Sequence, residues 1–158
     1  VRIVVLSDSH RHYDALEEVM LLHQADADLF LFLGDGEYEL DLLRSVRPEL
    51  KILSVSGNCD YGSDQPDYGV TECAGKTVFY THGFRFGVKS GLEDLKREAR
   101  RLGADIVLYG HTHIPYVSYE DGLYIMNPGS IGRPRVGGPS YGIVDIMDEG
   151  IAMHTAEL

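Results

Sequence analysis

"DIVLYGHTH", residues 105–113, decides the reading of this chain. The run "DIVLY" is apolar and β-branched over a strand's length, which predicts a buried strand. It ends in glycine and two histidines one residue apart. Such a pair is either part of a polar turn or a pair of ligands, and the rest of the chain decides between them.

Working outward, four more apolar runs end in the same way. "RIVVL" (2–6) runs into Asp8 and His10, "DLFLFLGDG" (28–36) into Asp35, "KILSVSGNCD" (51–60) into Asn58, and "KTVFYTHG" (76–83) into His82. Between them, "YDALEEVMLLHQA" (13–25) and "YELDLLRSV" (38–46) carry helical spacing, the second stopped by Pro48. This βαβαβ order predicts a largely parallel sheet. "VTECAG" before Lys76, "YVSYEDGLYIMNPGS" turning at Asp121-Gly122, and "YGIVDIMDEGIAMHTAEL" turning around Glu149-Gly150 predict hairpins. "SGLEDLKREARRLG" (90–103) reads as a helix capped by Ser90, with Glu93 completing a capping box and Gly103 ending it.

Ligands collect at the carboxyl ends of parallel strands. Seven residues at five strand ends can therefore converge: Asp8, His10, Asp35, Asn58, His82, His111 and His113. A lone histidine is more often an ordinary core or surface residue, but coincidence at five strand ends is a poor account. His12, His23 and His154 fall outside the pattern and read as solvent, helix-packing and strand residues. Two carboxylates, one amide and four imidazoles are too many donors for one tetrahedral ion. They suit two ions about 3.5–4 Å apart, the clamp used in phosphoryl displacement.

Composition sets the bounds. The 158 residues suit one domain, 1–158, with no repeat and no linker. A net charge of −11 speaks against an extended nucleic-acid or anionic-membrane surface, while a local anion site beside metal ions remains compatible with it. No membrane-spanning run and no signal-peptide pattern is present, and two cysteines, Cys59 and Cys73, suit a reducing compartment, so the expected location is cytoplasmic. Ten tyrosines leave a homo-oligomer surface open.

The ordered blocks "DSH" (8–10), "GD" (34–35), "GNCD" (57–60), "HG" (82–83) and "GHTH" (110–113) resemble those of the calcineurin-like metallophosphoesterases. With Cys59 and the late "NPGS" (127–130), the chain is similar to the small YfcE/YsnB-type phosphodiesterases within that family. The resemblance implies an α/β (mixed α+β) fold: a four-layer αββα sandwich of two mixed sheets flanked by helices. It implies two divalent ions, manganese first, with nickel, iron or zinc as alternatives. Asp8, His10, Asp35 and His113 would hold one ion; Asp35, Asn58, His82 and His111 would hold the other, with Asp35 bridging. His111 and His113 would alternate along an extended segment.

The implied activity is hydrolysis of a small phosphorylated substrate, a phosphodiester, by a metal-bridging hydroxide. Asp35, Asn58 and His82 would surround that hydroxide, and Cys59 would line the site or sit as a buried thiol in its tight loop. Arg11, Ser130 and Arg133 are candidate substrate contacts, with Arg135 a further source of charge. Glu37 and Asp60 read as groups that orient ligands. Three departures from the family pattern stand out: Arg11 where glycine is common, Phe84 in place of a histidine, and Cys59 where larger phosphatases carry a histidine that assists the leaving group. The alternatives are a phosphomonoesterase of the same fold and a non-catalytic interaction scaffold such as the small retromer subunit.

Overall fold

Alternation within the apolar runs builds the layers. The computed structural model describes residues 1–158, with strands β1 (Arg2–Leu6), β2 (Leu29–Phe32), β3 (Ile52–Ser54), β4 (Tyr68–Cys73), β5 (Lys76–Thr81), β6 (Ile106–Tyr109), β7 (Tyr116–Glu120), β8 (Leu123–Asn127), β9 (Ser140–Met147) and β10 (Gly150–Glu157). Helices α1 (Tyr13–Leu22), α2 (Glu37–Val46) and α3 (Glu93–Arg101) lie between them, and Phe84–Phe86 forms a single 3-10 turn.

Two five-stranded mixed sheets result, ordered β10-β9-β1-β2-β3 and β4-β5-β6-β8-β7. In the first, β1, β2 and β3 are parallel, with β9 and β10 added antiparallel. In the second, β5, β6 and β8 are parallel, with β4 and β7 antiparallel at the edges.

Side chains of β1 point alternately to two different cores, as the strand period of two requires. Ile3 and Val5 face the second sheet and pack with Leu31, Leu33, Val78, Ile106 and Leu108. Val4 and Leu6 face outward and pack with Leu16, Val19 and Met20 of α1 and Leu40 and Leu43 of α2. On the far side, Phe79, Val107 and Ile125 pack against Leu95 and Ala99 of α3. Strands covered on both faces need the continuous apolar runs seen in the sequence. Each fully buried Val, Leu, Ile or Phe contributes about 1.5–3 kcal/mol, so the parallel strand ends rest on a stiff base.

The turns follow their residues. Ala74-Gly75 and Asp121-Gly122 each place two consecutive residues at positive φ (49° and 79°, 47° and 83°), the mirror-image turn that suits hairpin twist. The last hairpin turns at Asp148-Glu149 instead of Glu149-Gly150, because Gly150 already pairs with Met147.

The start of α3 differs from the expectation. The helix begins at Glu93 behind Leu92, with no side-chain cap, so Ser90 and Glu93 form no capping box. Gly91, at φ 146°, turns the chain between Ser90 and the helix, carrying Ser90 out of register. The carboxyl end behaves as expected: Gly103 at φ 69° donates to Arg100, and Ala104 donates to Ala99, closing the helix with paired carbonyls. No helix is long and apolar enough to cross a membrane.

Candidate metal centre

The carboxyl ends of β1, β2 and β3 in one sheet and of β5 and β6 in the other meet along one edge of the sandwich. Backbone bonds stitch the loops there: Asp8 N–H donates to Gly34, His10 N–H to Asp35, and Gly110 N–H to His82. All seven residues singled out from the sequence are brought together at this edge. Asp8, His10 and His113 form one donor group, and Asp35, His82 and His111 another, with the donor atoms of each within 4.8 Å of one another. Asn58 joins the second, its Oδ1 lying 2.9 Å from His82 Nε2.

Asp35 links the two groups through a single atom. Its Oδ2 lies 3.6 Å from His10 Nε2 and 3.3 Å from His82 Nε2. Its other oxygen, Oδ1, accepts the Cys59 backbone N–H at 2.7 Å, which fixes the carboxylate's rotation.

Hydrogen bonds on the far side of two rings set their tautomers. His113 Nδ1 donates to the Arg133 carbonyl, and His82 Nδ1 donates to the Leu33 carbonyl, both at 2.7 Å. A carbonyl only accepts, so the proton sits on Nδ1 and the Nε2 lone pair faces inward, the arrangement of a metal-binding imidazole. His113 Nε2 then meets Asp8 Oδ1 at 3.2 Å, and His82 Nε2 meets His111 Nδ1 at 3.2 Å. Asp8 Oδ1 is buried and has no hydrogen-bond partner. Acceptors crowded together without a donor repel unless a proton or a cation lies between them. The donor set of imidazole nitrogens and carboxylate oxygens fits a divalent cation.

The titration of the groups reflects the same crowding. Burial opposes charge on Asp8, but the imidazoles of His10 and His113 beside it hold its carboxyl well below the usual range. Burial likewise opposes ionisation of Asp35, and His82 outweighs it, so this carboxyl is also lowered. Burial works against protonation of His82, yet Asp35 and Asp8 raise it above its ordinary value. His111 is pushed down to about 4, by burial first and by the charges of His82 and Lys89 after it.

The loops are strained where they carry donors. Five of the seven candidate ligands have positive φ: Asp8 (57°), His10 (41°), Asp35 (60°), His111 (71°) and His113 (62°). This corrects one expectation: His111 and His113 do not alternate along an extended strand. Each adopts the left-handed conformation, and the turn between them sends the two rings to different donor groups. Such backbone costs about 1–2 kcal/mol per residue and persists where the surroundings over-determine it. Arg11 shares it, at φ 73°.

The surroundings are a set of buried and half-buried polar groups. Asp60 accepts four backbone N–H groups, from Asp35 (2.8 Å), Gly36 (2.9 Å), Glu37 (3.0 Å) and Gly57 (2.7 Å). It thereby ties the β2 and β3 loops together and supplies a negative charge at the start of α2. Glu39, buried, accepts Ser9 Oγ at 2.9 Å and the Arg11 N–H. Ser7 Oγ donates to Asp8 Oδ2, which also accepts the His111 N–H at 3.0 Å. Buried Asn127 donates to the Gly110 carbonyl at 3.1 Å and to Thr112 Oγ1 at 2.9 Å.

Other expected residues take varied places. Ser130 is fully buried; its hydroxyl donates to the Asp8 carbonyl at 2.7 Å and accepts the Gly132 and Arg133 N–H groups. That places it beneath the centre as a brace, not at a substrate surface. Arg11 and Arg133 do line an open cleft of about 520 Å³ beside His10, Asp35 and Cys59, and Glu37 sits in its wall. The Arg11 guanidinium lies over the Tyr38 ring, 5.1 Å from its centroid. Arg135 lies outside that cleft, its N–H donating to the His113 carbonyl. Cys59 is exposed, which removes the buried-thiol reading; partial desolvation and the nearby Asp35 carboxylate push its thiol pKa up. Phe84 is 61% exposed and meets the His111 ring edge-on at 5.5 Å. His23 is buried against Tyr141, and His12 and His154 are exposed.

The calcineurin-like phosphoesterase superfamily domain matches residues 1–149. The chain belongs to this family. It is 34% identical to the probable metallophosphoesterase YsnB of Bacillus subtilis over 137 residues, covering 86% of this chain and 78% of that protein. It is 29% identical to the phosphodiesterase YfcE of Escherichia coli K12, covering 92% and 88%. A Streptococcus pneumoniae TIGR4 structure described as a predicted phosphoesterase superposes with a TM-score of 0.88 at 31% identity, covering 99% of this chain and 88% of that one. Vps29 of Chaetomium thermophilum shares the fold, with a TM-score of 0.76 at 19% identity over 98% and 95% of the two chains. The four layers found here are those expected of the family.

Proposed function

We propose that this chain is a metal-dependent phosphodiesterase holding two divalent ions. Asp8, His10, Asp35 and His113 would hold one, and Asp35, Asn58, His82 and His111 the other. The observation that carries the reading is the position of Asp35 Oδ2, within 3.6 Å of one donor group and 3.3 Å of the other. Bound divalent ions supply an acidified water and neutralise charge on phosphoryl oxygens. The protein's own residues do the rest. Asp60 and Cys59 hold Asp35 from behind, the Arg133 and Leu33 carbonyls hold two rings with lone pairs inward, and Arg11 and Arg133 line the open cleft where an anionic ester can enter. The 29% identity to YfcE supports a diester substrate; the N/O donor set suits manganese, nickel, iron or zinc, and we take manganese first. The absence of a histidine at Cys59 supports esters whose leaving group needs little protonation. We place the protein in the cytoplasm, acting as a single domain on a small phosphorylated substrate.

A second reading is a protein-interaction scaffold, favoured by the fold shared with Vps29. One experiment separates the two. Protein stripped with chelator and assayed on bis(p-nitrophenyl) phosphate should be inactive, and Mn²⁺ should restore hydrolysis with about two ions bound per chain. Metal-loaded protein without turnover on diesters or monoesters would leave the scaffold reading standing; full activity in chelator would refute both.

A further inference from the structure

Lys89 and Arg135 are two cations without partners in an acidic chain. Neither makes an ion pair or a side-chain hydrogen bond, although the chain carries 25 Asp and Glu against 14 Lys and Arg. Both line a hollow of about 460 Å³ whose remaining wall is Val88, Tyr109, Thr112, Ile114 and Tyr116. No carboxylate lines it, whereas four other hollows on the surface each have at least one in the wall. A concavity with two free cations and no acid concentrates positive potential and draws anions.

The hollow shares a wall with the metal centre. Thr112 stands between His111 and His113 in the chain. The Arg135 N–H donates to the His113 carbonyl at 3.1 Å. The rest of the wall is apolar and aromatic. Ile114 and Tyr116 are 41% and 40% exposed, beside the buried Tyr109 ring, and such surfaces accept a planar ring. The volume falls within the roughly 300–1,000 Å³ of small-molecule sites.

We propose that this hollow takes the nucleoside arm of a nucleotidyl phosphodiester, its ring on Ile114 and Tyr116 and a further phosphate between Lys89 and Arg135. The proposal rests on the phosphodiesterase reading, which places the scissile phosphate at the neighbouring donors.

The test is calorimetric, so it does not depend on turnover. Mn²⁺-loaded protein is titrated with thymidine 3′,5′-bisphosphate and with thymidine 5′-monophosphate. Wild type should bind the bisphosphate at least about tenfold more tightly, the scale of one charge-assisted contact. The doubly substituted Lys89→Gln, Arg135→Gln chain should bring that ratio near one, while Lys51→Gln, Lys76→Gln, which removes the same charge elsewhere, should preserve it. Tyr116→Ser should weaken both nucleotides. Equal affinities in wild type, or a ratio that survives the Lys89 and Arg135 substitutions, would overturn the phosphate site. Nucleotide affinities untouched by Tyr116→Ser would overturn the ring site. Absence of bis(p-nitrophenyl) phosphate hydrolysis in wild type would strike the underlying phosphodiesterase reading separately.

Discussion

The Asp60 carboxylate accepts the Asp35 N–H at 2.8 Å and the Gly57 N–H at 2.7 Å, so one side chain joins the ends of two parallel strands. Asp60→Ala leaves four part-buried donors without their acceptor, each bond to a charged group being worth roughly 1.5–3 kcal/mol. Part of that is recovered by water. The expected result is a loss of about 3 kcal/mol in chemical denaturation, together with weakened metal binding, although Asp60 belongs to neither donor group. Unchanged metal affinity in Asp60→Ala would show that the loops hold their shape without it.

Asp35→Asn and His113→Ala should differ in stoichiometry. Asn removes the charge from the oxygen that lies between His10 and His82, so both ions should be lost. His113→Ala empties a position in one group only and should retain about one ion per chain. Elemental analysis of the two purified variants decides it, and equal metal contents would argue against a bridging Asp35.

Cys59→His should raise monoester hydrolysis relative to diester hydrolysis. Position 59 is exposed beside Asp35 and is held by its own backbone N–H, so the side chain can change without loss of that bond. An imidazole there can act as a general acid, an effect of about 10²–10⁴-fold when well placed. The measurement is the ratio of kcat/KM for p-nitrophenyl phosphate to that for bis(p-nitrophenyl) phosphate. A wild type that already favours the monoester would replace the phosphodiesterase assignment.

Away from the centre, Arg2 grips Asp145 with two bonds of 2.8 and 3.1 Å across β1 and β9. The hydrogen bond from Arg2 lowers the Asp145 carboxyl. A lowered folded-state value means that the bond stabilises above the unfolded carboxylate value, near 3.9, and that the benefit is lost as pH falls through the folded value. Asp145→Asn should therefore cost about 1 kcal/mol near pH 7, roughly 2–4 °C in Tm, given that both side chains are partly exposed. The gap should narrow below about pH 4; a gap that stays constant into acid would assign the loss to packing.

Much of this was legible because strand ends carry a simple code. Apolar runs fixed the parallel strands, and the polar residue after each run fixed the seven converging donors. Backbone conformation at those donors was not legible: nothing in "GHTH" distinguishes an extended pair from two left-handed residues, since tertiary contacts impose the choice. Ser130 misled for a related reason. A serine near a Pro-Gly turn resembles an anion contact, and only the fold reveals the Asp8 carbonyl waiting for its hydroxyl. Glu39 was missed because a helical glutamate in "EYELDLL" carries no sign that it will be buried beneath Ser9 and Arg11. The missing cap on α3 shows that a local motif yields when a glycine redirects the chain.

The left-handed donors carry an evolutionary consequence. Glycine adopts φ near 60° without the steric cost that aspartate or histidine bears there. At His10, His111 and His113, exchanging the side chain for glycine would relax the backbone in the same stroke. A lineage freed from selection on chemistry would find those substitutions favoured or tolerated by folding alone.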